Sequence, residues 1–334
     1  MVNNYEDLSE FLEKATQTSS QLVDSEPIAI PYLIDPLIIR GNLHLLTGPI
    51  GNMKSYLSLG IAGKVAAAGS KVLFVDKENS LLMVESRARA LELPKTDKLV
   101  YWCERPSMAK AEIPPDFRTG FKLYEKIIQM WKQQGEDVVI FFDTLNRFSS
   151  GGHDENSVQH MAVITERLIA LRNLGATVIA LHQVGKPSEN GYRDYRGSSE
   201  IAASVDIAHT IKGFRSEGEN SASFTIQQFK TRWLPHSPIQ TVFDLGNFYF
   251  LPDFLDIKTY FSCRQSVTRY LAQSPNARED EIKEVLSSRA WGNFPKQATN
   301  WLLNNCRKNY WMKTQGKLNS FVYSNIPSIK NGDI

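Results

Sequence analysis

Cysteine is scarce in this chain, and long apolar runs are missing. The three cysteines, Cys103, Cys263 and Cys306, are far apart and odd in number. That excludes a disulfide framework or a zinc knuckle and predicts a reducing, cytoplasmic setting. The longest apolar stretches fall well short of the roughly 20 residues that a membrane helix needs. The polar start through Tyr5, Glu6 and Asp7 reads as no signal peptide, so no membrane partner is expected. No internal repeat or low-complexity tract is evident. Net charge is also small, +2 from 38 Lys/Arg and 36 Asp/Glu, but it is unevenly placed. Residues 255–334 hold 12 basic and 6 acidic groups, net +6, while the first 254 residues hold 26 and 30, net −4. A basic tail on a mildly acidic body suggests a polyanion partner for the tail, with solvated surface as the plain alternative.

What is present is an ordinary globular composition, 42% hydrophobic and 22% charged over 334 residues. It suits one large α/β domain and a smaller one. Residues 1–36 read as an N-terminal helix and linker, 37–254 as the core, and 255–334 as a basic C-terminal unit. Within the core, strands are expected at 43–47, 71–76, 137–143, 176–182, 207–213, 223–229 and 240–250. Helices at 56–68, 82–93, 121–134 and 157–174 alternate with the first of these, which implies a mainly parallel twisted sheet flanked by helices. Four prolines mark 104–117 as a loop.

Between the first strand and first helix lies Gly48-Pro49-Ile50-Gly51-Asn52-Met53-Lys54-Ser55, followed by Tyr56. Strand, loop and helix N-terminus are the setting that a phosphate-binding loop requires. Its backbone N–H groups and the helix dipole can cradle phosphate oxygens. Lys54 would reach the β- and γ-phosphates of ATP, and the Ser55 hydroxyl would ligate Mg²⁺. Met53 stands where the general pattern has glycine. A Cβ there restricts φ and narrows the loop, so ATP affinity is expected to suffer.

Asp143 closes an apolar strand about 90 residues after the loop, where a metal-supporting carboxylate belongs. Glu78, just past the second strand, is the candidate general base if the two strands are adjacent; its neighbour Asp76 competes for the role. His182 and Gln183 end the next strand, from which a polar side chain can sense the γ-phosphate and move the following loop.

Four segments match a known family in order: 48–55, the segment around Glu78, 142–157, and 181–199 with Tyr195-Arg196-Gly197-Ser198-Ser199. Together they resemble the RepA-type branch of RecA-fold ATPases, close to DnaB-type ring helicases, over about residues 28–250. Some members of that branch also carry a bulky residue before the lysine, so Met53 departs less from the branch than from the general loop. Gln183 departs where the family often has a second histidine. The resemblance implies a RecA-like core and hexameric rings with ATP between subunits. It also implies a Lys-x-Arg pair acting in trans; Lys230 and Arg232 fit, with Lys212 and Arg215 as alternatives. In such a ring two loops would face single-stranded DNA: 146–154 with Arg147, and 184–195 with Lys186, Tyr192, Arg193 and Tyr195. Arg196 would contact DNA, nucleotide or the neighbouring subunit.

The tail reads as helices at 267–273, from 278, and at 295–308, then strands at 310–314 and 320–323. Helices followed by a basic hairpin suggest a winged-helix-like domain. Its third helix, with Lys296, Gln297, Asn300, Asn304 and Arg307, is the candidate for the major groove of duplex DNA. Protein docking is the alternative use. The expectation for the whole chain is an ATP- and Mg²⁺-dependent ring motor on DNA. An ATP-gated initiator, loader or recombination factor without unwinding is the second class, and a RecA-fold scaffold or signalling ATPase the third.

Overall fold

The computed structural model describes residues 29–103, 117–148, 158–184, 198–215, 221–244, 247–306, 310–315 and 321–325. A short hairpin, β1 (Tyr32–Ile34) and β2 (Ile38–Ile39), precedes β3 (Leu43–Gly48), which runs into α1 (Lys54–Ala67). Next come β4 (Lys71–Asp76), α2 (Leu81–Ala90), β5 (Leu99–Cys103), α3 (Phe117–Gln133) and β6 (Val138–Asp143). The core continues through α4 (Val158–Asn173), β7 (Thr177–Gln183), α5 (Ser198–Ser204), β8 (Ile207–Arg215), β9 (Ser221–Thr231), β10 (Ile239–Asp244) and β11 (Asn247–Phe250).

Nine of these strands form one sheet in the order β11-β10-β9-β8-β3-β7-β6-β4-β5. From β8 to β5 all neighbours are parallel; β9, β10 and β11 add antiparallel strands at one side. Central strands such as β6 are buried throughout, as a parallel sheet covered on both faces demands. Alternate residues feed two cores. Val139 and Phe141 face the cluster built by α1, while Val138, Ile140 and Phe142 face the one built by α3 and α4. Helix α1 is buried almost all round, and its Gly60 lets the Phe248 ring of β11 approach to where a Cβ would stand.

One strand, β7, separates the loop-bearing β3 from β6, which is the strand order of a RecA-like P-loop core. Parallel strands bring their C-terminal ends to one edge, where ligands bind in open α/β sheets. There Asp76 of β4 lies level with Asp143 of β6, and Gly48 of β3 with Gln183 of β7.

The C-terminal unit comprises α6 (Ile257–Gln273), β12 (Ala277–Arg278), α7 (Glu279–Leu286), α8 (Lys296–Asn305), β13 (Trp311–Gln315) and β14 (Phe321–Asn325). Its strands form an antiparallel sheet ordered β12-β14-β13. Its core of Tyr260, Val267, Leu302, Trp311 and others reaches Val242 of β10, so the unit closes onto the large sheet. Asp244 is the polar anchor. Its carboxylate accepts from Arg264 Nη1 at 2.6 Å, Tyr260 OH at 2.9 Å and Tyr310 OH at 2.5 Å.

Several elements differ from expectation. No strand is expected at 99–103, yet Leu99-Val-Tyr-Trp-Cys103 pairs in parallel with β4 and forms the far edge. The run 240–250 is two strands joined in a hairpin. Helix α6 begins ten residues before the expected 267, capped by Asp256, whose carboxylate accepts from Thr259 N–H at 2.8 Å. The expected N-terminal helix lies outside the described residues.

Candidate active site

The phosphate loop leaves β3 at Gly48 and enters α1 at Lys54. Gly51 takes φ 84°, a conformation natural to glycine. Met53 takes φ 56° and ψ 27°, the left-handed region, so it adopts the backbone that the pattern's glycine adopts. For a residue with a Cβ this is strained by about 1–2 kcal/mol, and packing of the half-buried Met53 side chain on the α1 core opposes it. Strand β8 braces the loop from outside: Asn52 Nδ2 donates to the Ile211 carbonyl at 3.1 Å.

Lys54 is buried and donates to the carbonyls of Gly48 at 2.8 Å and Pro49 at 2.9 Å. Burial lowers its pKa, opposed by the charges of Asp143 and Glu78. Asp143 is 1% exposed. Burial, with Asp76 beside it, pushes its pKa up to about 7, and a hydrogen bond from Ser55 acts the other way. Among the described residues its Oδ2 is a buried acceptor without a hydrogen-bond partner. An unsatisfied carboxylate oxygen beside the Ser55 hydroxyl fits a hard cation with oxygen ligands.

Glu78 and Asp76 divide their roles clearly. Asp76 Oδ1 accepts from the backbone N–H of Glu78 at 2.8 Å and of Asn79 at 2.9 Å, and its Oδ2 from Asn79 Nδ2 at 2.9 Å and from Tyr101 OH. It is a fully engaged carboxylate that shapes the turn. Glu78 is exposed and faces the cavity, accepting from Gln183 Nε2 at 2.9 Å. The cavity, about 610 Å³, is also lined by Lys54, Ser55, Tyr56, Arg87 and Arg215. Tyr56 stacks edge-on against Phe243 at 5.3 Å, and burial raises its pKa to about 12. His182 is buried behind the loop, its Nδ1 unpartnered among the described residues, and burial with nearby Lys54 lowers its pKa to about 4. It is therefore a neutral imidazole.

Arg232 and Lys230 sit elsewhere. Arg232 Nη1 lies 3.3 Å from Asp206 Oδ1, and Asp206 also accepts from the N–H of Leu43 at the start of β3. Five residue steps at about 3.3 Å put this end of the sheet roughly 17 Å from the loop of the same chain. Lys230 Nζ donates to the Ala203 carbonyl. Arg215, one alternative to Arg232, lines its own chain's cavity; Lys212 is exposed on β8. Arg147 is exposed in a 3-10 turn after β6. Lys296 is exposed at the start of α8 and pairs with Glu284. Lys186, Tyr192, Arg193, Tyr195, Arg196 and Arg307 lie outside the described residues. Sequence reasoning missed Arg87 and gave Gln183 no contact with Glu78. Both depend on helix rotation or strand order, which no local motif reports.

Fold and site together define a P-loop nucleoside triphosphatase of the RecA/DnaB kind. The family model described as an AAA domain, AAA_25, matches residues 8–189, more than half of the chain, and the protein belongs to that family. No curated protein matches it. Among solved structures, the flagellar accessory protein FlaH from Methanocaldococcus jannaschii is similar at 18% identity and TM-score 0.44, over 64% of this chain and 91% of FlaH. A helicase ATPase domain is similar at 13% identity and TM-score 0.49, over 75% of this chain and all of that domain (100%). Among the described residues no helix is long and apolar enough to cross a membrane.

Proposed function

We propose that the protein is an ATP-hydrolysing, ring-forming DNA motor of the cytoplasm, a RepA/DnaB-like replicative helicase of a plasmid, phage or mobile element. One observation carries the reading: Lys54, Ser55 and Glu78 meet at a single cavity with buried Asp143 behind them. Lys54 would exchange its two loop carbonyls for phosphate oxygens. Ser55, with Asp143 through water, would hold Mg²⁺, which neutralises charge on the β- and γ-phosphates when bound. Glu78 would accept a proton from the attacking water. Neutral His182, between Lys54 and the end of β7, would relay nucleotide state to the DNA-facing segment that follows.

Arg232 and Lys230, remote from their own loop, would serve the site of the next subunit in a hexamer. The arrangement of α6, α7, α8 and the three-stranded sheet supports a winged-helix reading of the tail, with α8 offered to duplex DNA. A second reading, an ATP-gated initiator or loader without unwinding, is favoured by the buried Asp244–Arg264 pair that ties the tail to β10. The test is ATP turnover with and without single-stranded DNA, followed by displacement of a labelled strand from a forked duplex. The helicase reading expects stimulated turnover and displacement. Stimulation without displacement selects the second reading, and turnover indifferent to DNA rejects both.

A further inference from the structure

We propose that Gln183 is a positioning residue that holds the Glu78 carboxylate toward the phosphate loop. The inference rests on the reading of Glu78 as general base and adds a residue to that site. Gln183 Nε2 donates to Glu78 Oε1 at 2.9 Å across 105 positions of sequence, and both side chains line the cavity that holds Lys54 and Ser55.

The two ends of this contact are held independently. On the β7 side, Gln183 lies level with Gly48, the next residue's N–H (Val184) donates to the Gly48 carbonyl at 3.3 Å, and Thr144 Oγ1 donates to the Leu181 carbonyl at 2.9 Å. Gln183 is thereby placed by the strand that starts the phosphate loop and by the turn after Asp143. On the β4 side, Asp76 holds the backbone N–H of Glu78. The glutamate is thus fixed at its backbone from one strand and at its carboxylate from another, and Oε2 remains to meet water.

The choice of an amide matters chemically. An exposed glutamate samples several rotamers, and a base must face its water when the phosphates are in place. A cation at position 183 would orient the carboxylate but draw off its basicity. A neutral N–H donor orients it without neutralising it, and a hydrogen bond to a charged acceptor is among the stronger ones.

The experiment uses the full chain with Gln183→Leu, which keeps bulk and removes the donor, and Gln183→His, which restores an N–H. We expect Gln183→Leu to lower kcat by about 10- to 100-fold, the range of one hydrogen bond to a charged group. KM for ATP and affinity for ATPγS should stay within about twofold, because the contact orients the base and does not touch the phosphates. Affinity for ADP–aluminium fluoride, which mimics the state with water in line, should fall in step with kcat. Gln183→His should recover most of both losses, and in a Glu78→Ala background Gln183→Leu should change the fluoride affinity no further. Full kcat in Gln183→Leu, an equal loss of ATPγS affinity, or a fluoride effect that persists without Glu78 would each overturn the proposal. If Glu78→Ala hydrolyses ATP like the wild type, the general-base reading itself fails. A silent Gln183→Leu beside an inactive Glu78→Ala rejects only the positioning role.

Discussion

Asp244 at the end of β10 and Arg264 of α6 form an ion pair, 2.6 Å from Oδ2 to Nη1, with almost no access to water. Removing one partner of such a pair leaves a buried charge without compensation, at a cost of about 3–5 kcal/mol. Asp244→Ala should therefore lower the unfolding free energy by that order in urea titrations. The same geometry bears on deletion of residues 258–334, for which charge alone predicts a core that stays folded. Because Val242 and Asp244 face the tail's core, the truncated protein should aggregate. A soluble, ATP-binding truncation would show that the contact is dispensable.

Lys54→Ala should reduce ATP hydrolysis by at least about 10²-fold, the scale of losing one charged donor at a reacting phosphate. Circular dichroism should be unchanged, because Lys54 spends its hydrogen bonds on two loop carbonyls. Undiminished turnover in the purified variant would count against the phosphate-loop assignment.

Met53→Gly removes left-handed strain worth about 1–2 kcal/mol and also removes the packing of a half-buried side chain, worth a similar amount. Stability should change by no more than about 1 kcal/mol. ATP affinity, measured calorimetrically, should be unchanged or tighter. A large loss would mean that the methionine's packing, and not its backbone, shapes the loop.

His44 is fully buried, and burial lowers its pKa to about 4. An unfolded histidine titrates near 6.5, so between these values the unfolded chain binds more protons. Its contribution to stability is present above pH 6.5 and is lost as pH falls toward 4. Neutral, buried His182 and His209 act in the same direction. His44→Gln, which can still bond Ile39, should flatten the pH dependence by up to about 1.4 kcal/mol per pH unit. Urea unfolding at pH 7.5, 6 and 5 checks the slope; an unchanged slope would remove His44 from the account.

Arg232→Ala should keep nucleotide binding and lose hydrolysis if its guanidinium serves a neighbouring subunit, where such a group is worth roughly 10³–10⁵ in rate. Mixed with Lys54→Ala protein it should regain partial activity, since one interface then combines an intact loop with an intact arginine. Mixed rings without rescue would argue against the trans role and turn attention to Lys212.

The strands and helices around the loop were legible because apolar period and turn chemistry are local signals. β6 is a plain run of Val, Ile and Phe ending in Asp143, and it folds as read. β5 was obscured because Leu99-Val-Tyr-Trp-Cys103 follows a helix stop and precedes a proline-rich segment, so nothing local distinguishes it from a loop. The choice between Asp76 and Glu78 also needed three dimensions. Tyr101, which helps to occupy Asp76, belongs to that unrecognised strand. Asp244 was invisible for the same reason: its partners lie 16 to 66 positions away.

Gly213 of β8 stands so close to the phosphate loop that a Cβ there would lie 2.6 Å from the Asn52 carbonyl oxygen. The loop is thus pressed into shape by a strand that leaves the ribosome some 160 residues after it. Closing so long a stretch of chain is slow compared with forming neighbouring helices. During synthesis, nucleotide affinity should therefore arrive abruptly, once β8 has docked, and nascent chains ending before residue 207 should pass through ATP resin unretained.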